Sequence, residues 1–207
     1  MVLSTIPKIL FFDVTYERMK SLRLAFESTN LNISVIGKNQ VEHKIFDVKS
    51  TFSAYKTLLN QCHKTSKQMQ IGMLGILIAD YPNIVLFLYQ IIIVYYESKW
   101  WMMTPLILKI VNTLTLLFTP AILSELINIE YEKTCDVLRR KIAACDDVSL
   151  REVKQRAYDY IKMRPYKFFI VRAVSLDVSM PLSFIGFCIG HLIVILQNKN
   201  SNYELVN

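Results

Sequence analysis

The stretch SFIGFCIGHLIVILQN, residues 183–198, decides the fold. From Val178 to Leu196 the chain carries no Asp, Glu, Lys or Arg, nineteen residues in all. A water-soluble domain would have to bury every side of such a segment. A bilayer imposes no such demand, and this length of apolar helix crosses its hydrocarbon core. The run predicts a membrane-spanning helix over 178–197, followed by a polar tail over 198–207.

Two further runs have the same character. IGMLGILIADYPNIVLFLYQIIIVYY, residues 71–96, spans about 39 Å as a helix, enough to cross with tilt. Asp80, Pro82 and Asn83 interrupt it. Pro82 predicts a kink, because proline lacks a backbone donor and crowds the preceding turn. Asp80 reads either as an ion ligand or as a partner for a neighbouring helix or water. The next run is MMTPLILKIVNTLTLLFTPAILSELI, residues 102–127, whose one charge before Glu125 is Lys109. A lysine at a span's centre costs about 2.5–3.5 kcal/mol, which predicts that Lys109 faces protein interior or the near interface. The short link between the runs makes them an antiparallel hairpin. Its Trp100 and Trp101 suit a membrane–water boundary.

Hydrophobic residues make up 53% of the 207, yet the formal net charge is +7. The two kinds are segregated into blocks, the pattern of a membrane protein. No aromatic-basic interleaving, zinc spacing or recognition helix accompanies the charge, so nucleic acid is not a predicted partner. Cys62, Cys135, Cys145 and Cys188 lie far apart and read as free thiols. Cys62-His63 is adjacent, not at ligand spacing, so no metal is expected. No nucleophile with a base, paired acids or metal cluster suggests an enzyme, and no cofactor is implied. The opening MVLSTIPKILFF lacks the marks of a secretory signal.

Residues 1–70 hold ten Lys/Arg against five Asp/Glu, and residues 128–177 hold eleven against eight. By the positive-inside rule both blocks face the cytoplasm, with the Trp100-Trp101 link and the tail outside. Met19, Leu22 and Phe26 predict a helix, residues 30–45 a loop, and Phe52, Tyr55, Leu59 and Cys62 a second helix from about Val48. In 128–177, Tyr131, Cys135, Leu138, Ile142 and Cys145 form a narrow apolar stripe. Ser149 and Glu152 match a capping box opening a fresh helix, which Arg164-Pro165 stops. The stripe needs cover. Either another copy supplies it, with Tyr131, Leu138 and Ile142 as an assembly surface, or the chain packs on itself. The resulting class is an all-α membrane protein with three transmembrane helices and long cytoplasmic helical segments. Its parts are 1–70 cytoplasmic, 71–127 the transmembrane hairpin, 128–177 a cytoplasmic anchor hairpin, 178–197 the final span and 198–207 an extracellular tail.

That arrangement resembles the last three helices of insect gustatory receptors. The family carries Thr-Tyr, five apolar residues and Gln-Phe in its last helix. Here Gly190-His191 precede Leu192 to Leu196 and Gln197-Asn198, matching the spacer and the Gln. Upstream, YDYIKMRPYKFFIVRAVSLDVSMPLSF is similar to the family's basic helix, Pro, aromatic step and Leu-Asp before the last helix. The resemblance covers nearly the whole chain and implies the C-terminal half of a seven-span receptor about twice as long, a truncated product or a gene-model fragment.

The resemblance further implies a ligand-gated, non-selective cation channel for taste, in the plasma membrane. It would be a homo- or hetero-tetramer with other gustatory receptors, opened by a small-molecule tastant. The last helix would line the pore through Ser183, Gly186, Gly190, His191 and Gln197. Gln197 would form a polar ring, or else simply end the span at the interface. Tyr89, Gln90, Tyr95, Tyr96 and Asn112 would sit at the depth of the tastant pocket, and are equally interfacial aromatics and interhelical hydrogen-bonding groups. The alternatives are a non-channel scaffold or accessory subunit using the basic hairpin as its binding surface, or a non-functional truncated receptor.

Overall fold

The computed structural model describes residues 2–28, 38–98, 100–171 and 174–204. The elements in chain order are α1 (Val2–Ser28), α2 (Lys38–Tyr96), α3 (Trp100–Ala143), α4 (Val148–Met163), β1 (Phe169–Val171), β2 (Val174–Ser175) and α5 (Ser179–Glu204). Three stretches are long and apolar enough to cross a membrane: Lys67–Tyr96, the helix Trp100–Ala143 and Ser179–Asn198. These are the three charge-poor runs, and the protein is an all-α membrane protein. Among the described residues a short antiparallel ribbon pairs Phe169 with Ser175 and Val171 with Val174. Three and two residues are too few to show a strand period in the sequence.

Two helix boundaries differ from the sequence reading. The loop expected over 30–45 is helix from Lys38 onward; residues 29–37 lie outside those described. Val41, Ile45 and Val48 fall at spacings of four and three, a stripe that the surrounding polar residues obscure. The cap of α4 is Asp147, not Ser149. The Asp147 carboxylate accepts the Leu150 backbone N–H at 2.8 Å and the Ser149 hydroxyl at 2.6 Å. Glu152 instead meets Arg156 one turn on, at 3.3 Å. Arg164 does end α4, ahead of Pro165, as the pre-proline restriction requires. α2 continues through Pro82, where Asn83 donates its side-chain amide to the Ala79 carbonyl at 2.9 Å.

The chain divides into two compact units. One comprises Ile6–Lys67 and Leu123–Phe168. Each of its four helical pieces contributes a stripe at spacings of three and four: Phe12, Thr15, Met19, Leu22 and Phe26 from α1, and Val48, Tyr55, Leu58 and Cys62 from α2. α3 adds Ile127, Tyr131, Thr134 and Leu138, and α4 adds Leu150, Ala157 and Ile161, all buried. Most charged groups inside this core are paired, while the side-chain oxygen of Asn128 is buried without a hydrogen-bond partner. Glu130 accepts from Arg23 at 2.6 Å and from Lys133 at 2.9 Å, and Lys141 donates to the Glu27 carbonyl at 2.7 Å near the end of α1.

The other unit comprises Met1–Thr5, Gln68–Ile122 and Phe169–Asn207. One of its clusters buries Ile84, Val85 and Cys188, with Tyr81, Leu88, Leu114, Phe184 and Ile195 packed around them. Large apolar side chains elsewhere in it stand exposed, among them Ile78 at 67% and Leu108 at 63%.

Candidate functional site on the last helix

α5 begins where Asp177 organises its first turn. One carboxylate oxygen accepts the Ser179 hydroxyl at 2.5 Å and the Ser179 N–H at 3.0 Å; the other accepts the Ser175 hydroxyl at 2.6 Å. Those donations, from Ser175 and then Ser179, hold the Asp177 carboxyl below its ordinary range. Pro181 sits in this first turn, where a missing N–H costs nothing. Above the cap the helix has two unlike faces. Cys188 and Leu192 are buried and Phe184 and Ile195 half-buried, all on the side that packs against Ile84 and Val85 of α2. Ser183, Gly186, Gly190 and Gln197 are exposed.

At 3.6 residues per turn those four positions share an arc of about 60°, centred about 180° from the packed face. A methyl group placed on Gly186 or Gly190 would meet nothing within 4 Å. Flanked by the exposed Leu182, Phe187, Ile189, Ile193 and Val194, a stripe of small and weakly polar residues therefore runs along the side of the helix that its own chain leaves uncovered. His191 does not join them. It lies on the flank, where its ring meets Tyr81 edge-on at 5.8 Å, beside the Tyr81–Phe187 contact at 5.2 Å. At the base of α5, Ser175, Ser179, Ser183, Phe184, Phe187, Met180 and Leu77 line a cavity of about 520 Å³.

The family model described as 7tm Chemosensory receptor matches residues 16–202, nine-tenths of the chain. The chain belongs to this family. No curated protein matches it.

In this chemosensory receptor the expected pocket residues scatter. Tyr89 and Tyr96, seven apart, share a stripe of α2, whereas Gln90 and Tyr95 lie on others. Tyr95 and Tyr96 are 54% and 81% exposed, and Tyr95 stacks edge-on against Trp100 at 5.4 Å. Gln90 and Asn112 are exposed. Of the residues expected at an assembly surface, Tyr131 and Leu138 are buried by the receptor's own chain and Ile142 is half-buried. Tyr131 also donates to the Ile161 carbonyl at 3.2 Å.

Sequence reasoning missed a set of buried hydroxyls and a thiol in the same unit. Tyr55 donates to the Arg164 carbonyl at 3.0 Å, and the Cys62 thiol pairs with the Tyr166 hydroxyl. Burial pushes the Cys62 thiol and the Tyr166 hydroxyl above their ordinary values, so both stay protonated near neutrality. A protonated, buried thiol is a poor nucleophile. These groups fix the segment after α4, whose Tyr166, Phe168 and Ile170 point inward. The partners lie 109 and 104 residues apart in sequence, so no local spacing announces them.

Proposed function

We propose that this chemosensory receptor acts as a subunit of a ligand-gated, non-selective cation channel in taste detection, with α5 lining the pore. The observation that carries the proposal is the division of α5 into a packed apolar face and an uncovered stripe of Ser183, Gly186, Gly190 and Gln197. A permeation path needs walls that are small, weakly polar and free of fixed charge where ions must not be trapped. The opposite face supplies the anchorage that holds such a wall still. A tetramer, homomeric or with other receptors of the family, would bring four such stripes around one axis. The Lys/Arg-rich blocks support a cytoplasmic N-terminus and an extracellular end of α5 in the plasma membrane.

Expressed in a cell line, alone and with another member of the family, the receptor is expected to carry a cation current. Gln197→Ala should shift its reversal potential under bi-ionic conditions, while Ile195→Val leaves it in place. Identical currents from Gln197→Ala and the parent would contradict the role of Gln197. The orientation has its own check. Asn32-Ile33-Ser34, outside the described residues, is a glycosylation sequon that a cytoplasmic location keeps bare. A glycan at Asn32 would invert the topology.

A further inference from the structure

Lys109 is the only Lys or Arg between Trp100 and Glu132, and it sits in an apolar stretch of α3. Its side chain is exposed, not folded into the unit's core. The ammonium lies over the ring of Phe87 on α2, 5.3 Å from its centre. A ring face attracts a cation but does not neutralise it. Among the described residues no Asp or Glu pairs with it. Exposed amides flank the pair: Gln90 one turn along α2 from Phe87, Asn83 one turn before it, and Asn112 one turn along α3 from Lys109. The Asn83 amide donates one N–H to the Ala79 carbonyl.

We infer that Lys109, with Phe87, Gln90 and Asn112, forms a site for a small carboxylate-bearing ligand, and that this chemoreceptor detects organic acids. The inference rests on the chemoreceptor reading and names its ligand class. In a low-dielectric span an ammonium without an acidic partner is costly, and a bound carboxylate would offset that cost. A carboxylate accepts from the ammonium as a charge-assisted bond, and its remaining lone pairs suit the NH2 donors of the two amides. The Phe87 ring gives the ligand's hydrocarbon or aryl body an apolar contact. A phospholipid phosphate offers the same negative charge from a different source, and the test must separate the two.

The measurement is binding of octanoate and phenylacetate to the whole chain in nanodiscs, against octanamide, octanol and octylamine. Discs are made of phosphatidylcholine alone or with phosphatidylserine. The expected result is that the acids bind in phosphatidylcholine at least about tenfold more tightly than the isosteres. Lys109→Gln removes that preference and Lys109→Arg keeps it. Equal binding of acids and amide, or a preference that survives Lys109→Gln, overturns the inference. So does acid binding abolished by phosphatidylserine, which assigns the ammonium to lipid headgroups. Because binding is read without current, a chain that binds acids and never conducts breaks only the channel proposal. A chain that conducts without preferring acids breaks only this one.

Discussion

The unit built from Ile6–Lys67 and Leu123–Phe168 and the unit that holds the apolar runs solve the same problem in opposite ways. In the first, four amphipathic stripes close on one another, and Phe12, Met19, Tyr55, Ile127, Leu138 and Ile161 are all at or below 1% exposure. Its surface is charged, and its buried Glu130 is paired with Arg23 and Lys133, as folding against water demands. In the second, Ile84, Val85 and Cys188 form one buried cluster, while large apolar side chains such as Ile78, Leu108 and Phe187 face outward. Lipid is as apolar as leucine, so burying more side chains against each other would gain little there. Sequence hydropathy locates the second unit at once. It says little about the first, whose stability comes from long-range pairs.

The comparison predicts a ranking of substitutions, read as thermal unfolding in detergent. The largest loss is expected from Glu130→Ala. It strips a buried carboxylate from Arg23 and Lys133 and should cost about 3–5 kcal/mol, the scale of a broken buried ion pair. Leu138→Ala opens a cavity in the closed core and should cost about 2–5 kcal/mol. A loss below about 1 kcal/mol would contradict a closed, well-packed core at this position.

Capping comes next. Asp177→Ala removes the acceptor for the first turn of α5 and should cost about 0.5–2 kcal/mol. Because the Asp177 carboxyl is held below its ordinary range in the folded chain, its contribution is complete above the unfolded value of about 3.9. It fades only as pH falls through the lower folded value. The difference between parent and Asp177→Ala should therefore stay flat from pH 5 to 8 and shrink in acid. Smallest of all is Leu108→Ala in the other unit, where the side chain is 63% exposed and no core is lost. A change within about 0.5 kcal/mol is expected. A cost like that of Leu138→Ala would show that this face is covered by protein and not by lipid.

How much of this was legible follows the same divide. Nineteen residues without charge admit no other reading than a span, and the Met19-Leu22-Phe26 stripe names the buried face of α1 directly. The start of α2 at Lys38 was obscured because Val41, Ile45 and Val48 lie among polar residues and follow a glycine. At α4, two acceptors two residues apart compete for the same cap. Ser149 fits the sequence pattern, but the charged Asp147 takes the bond. For the site, the spacing of Ser183, Gly186, Gly190 and Gln197 places them on one stripe from sequence alone. That His191 turns aside to Tyr81 depends on a contact with another helix, which no pattern within α5 encodes.

The central claim is that the uncovered stripe of α5 faces an ion path while the opposite face is anchored. Single cysteines at 183, 186, 190, 192, 195 and 197 of the expressed receptor, exposed to a charged water-soluble thiol reagent during recording, test it directly. The account predicts that reagent alters the current at Ser183, Gly186, Gly190 and Gln197, and leaves it unaltered at Leu192 and Ile195. Modification of Leu192 and Ile195 at the same rate as the stripe, or no effect anywhere along the stripe, would contradict it.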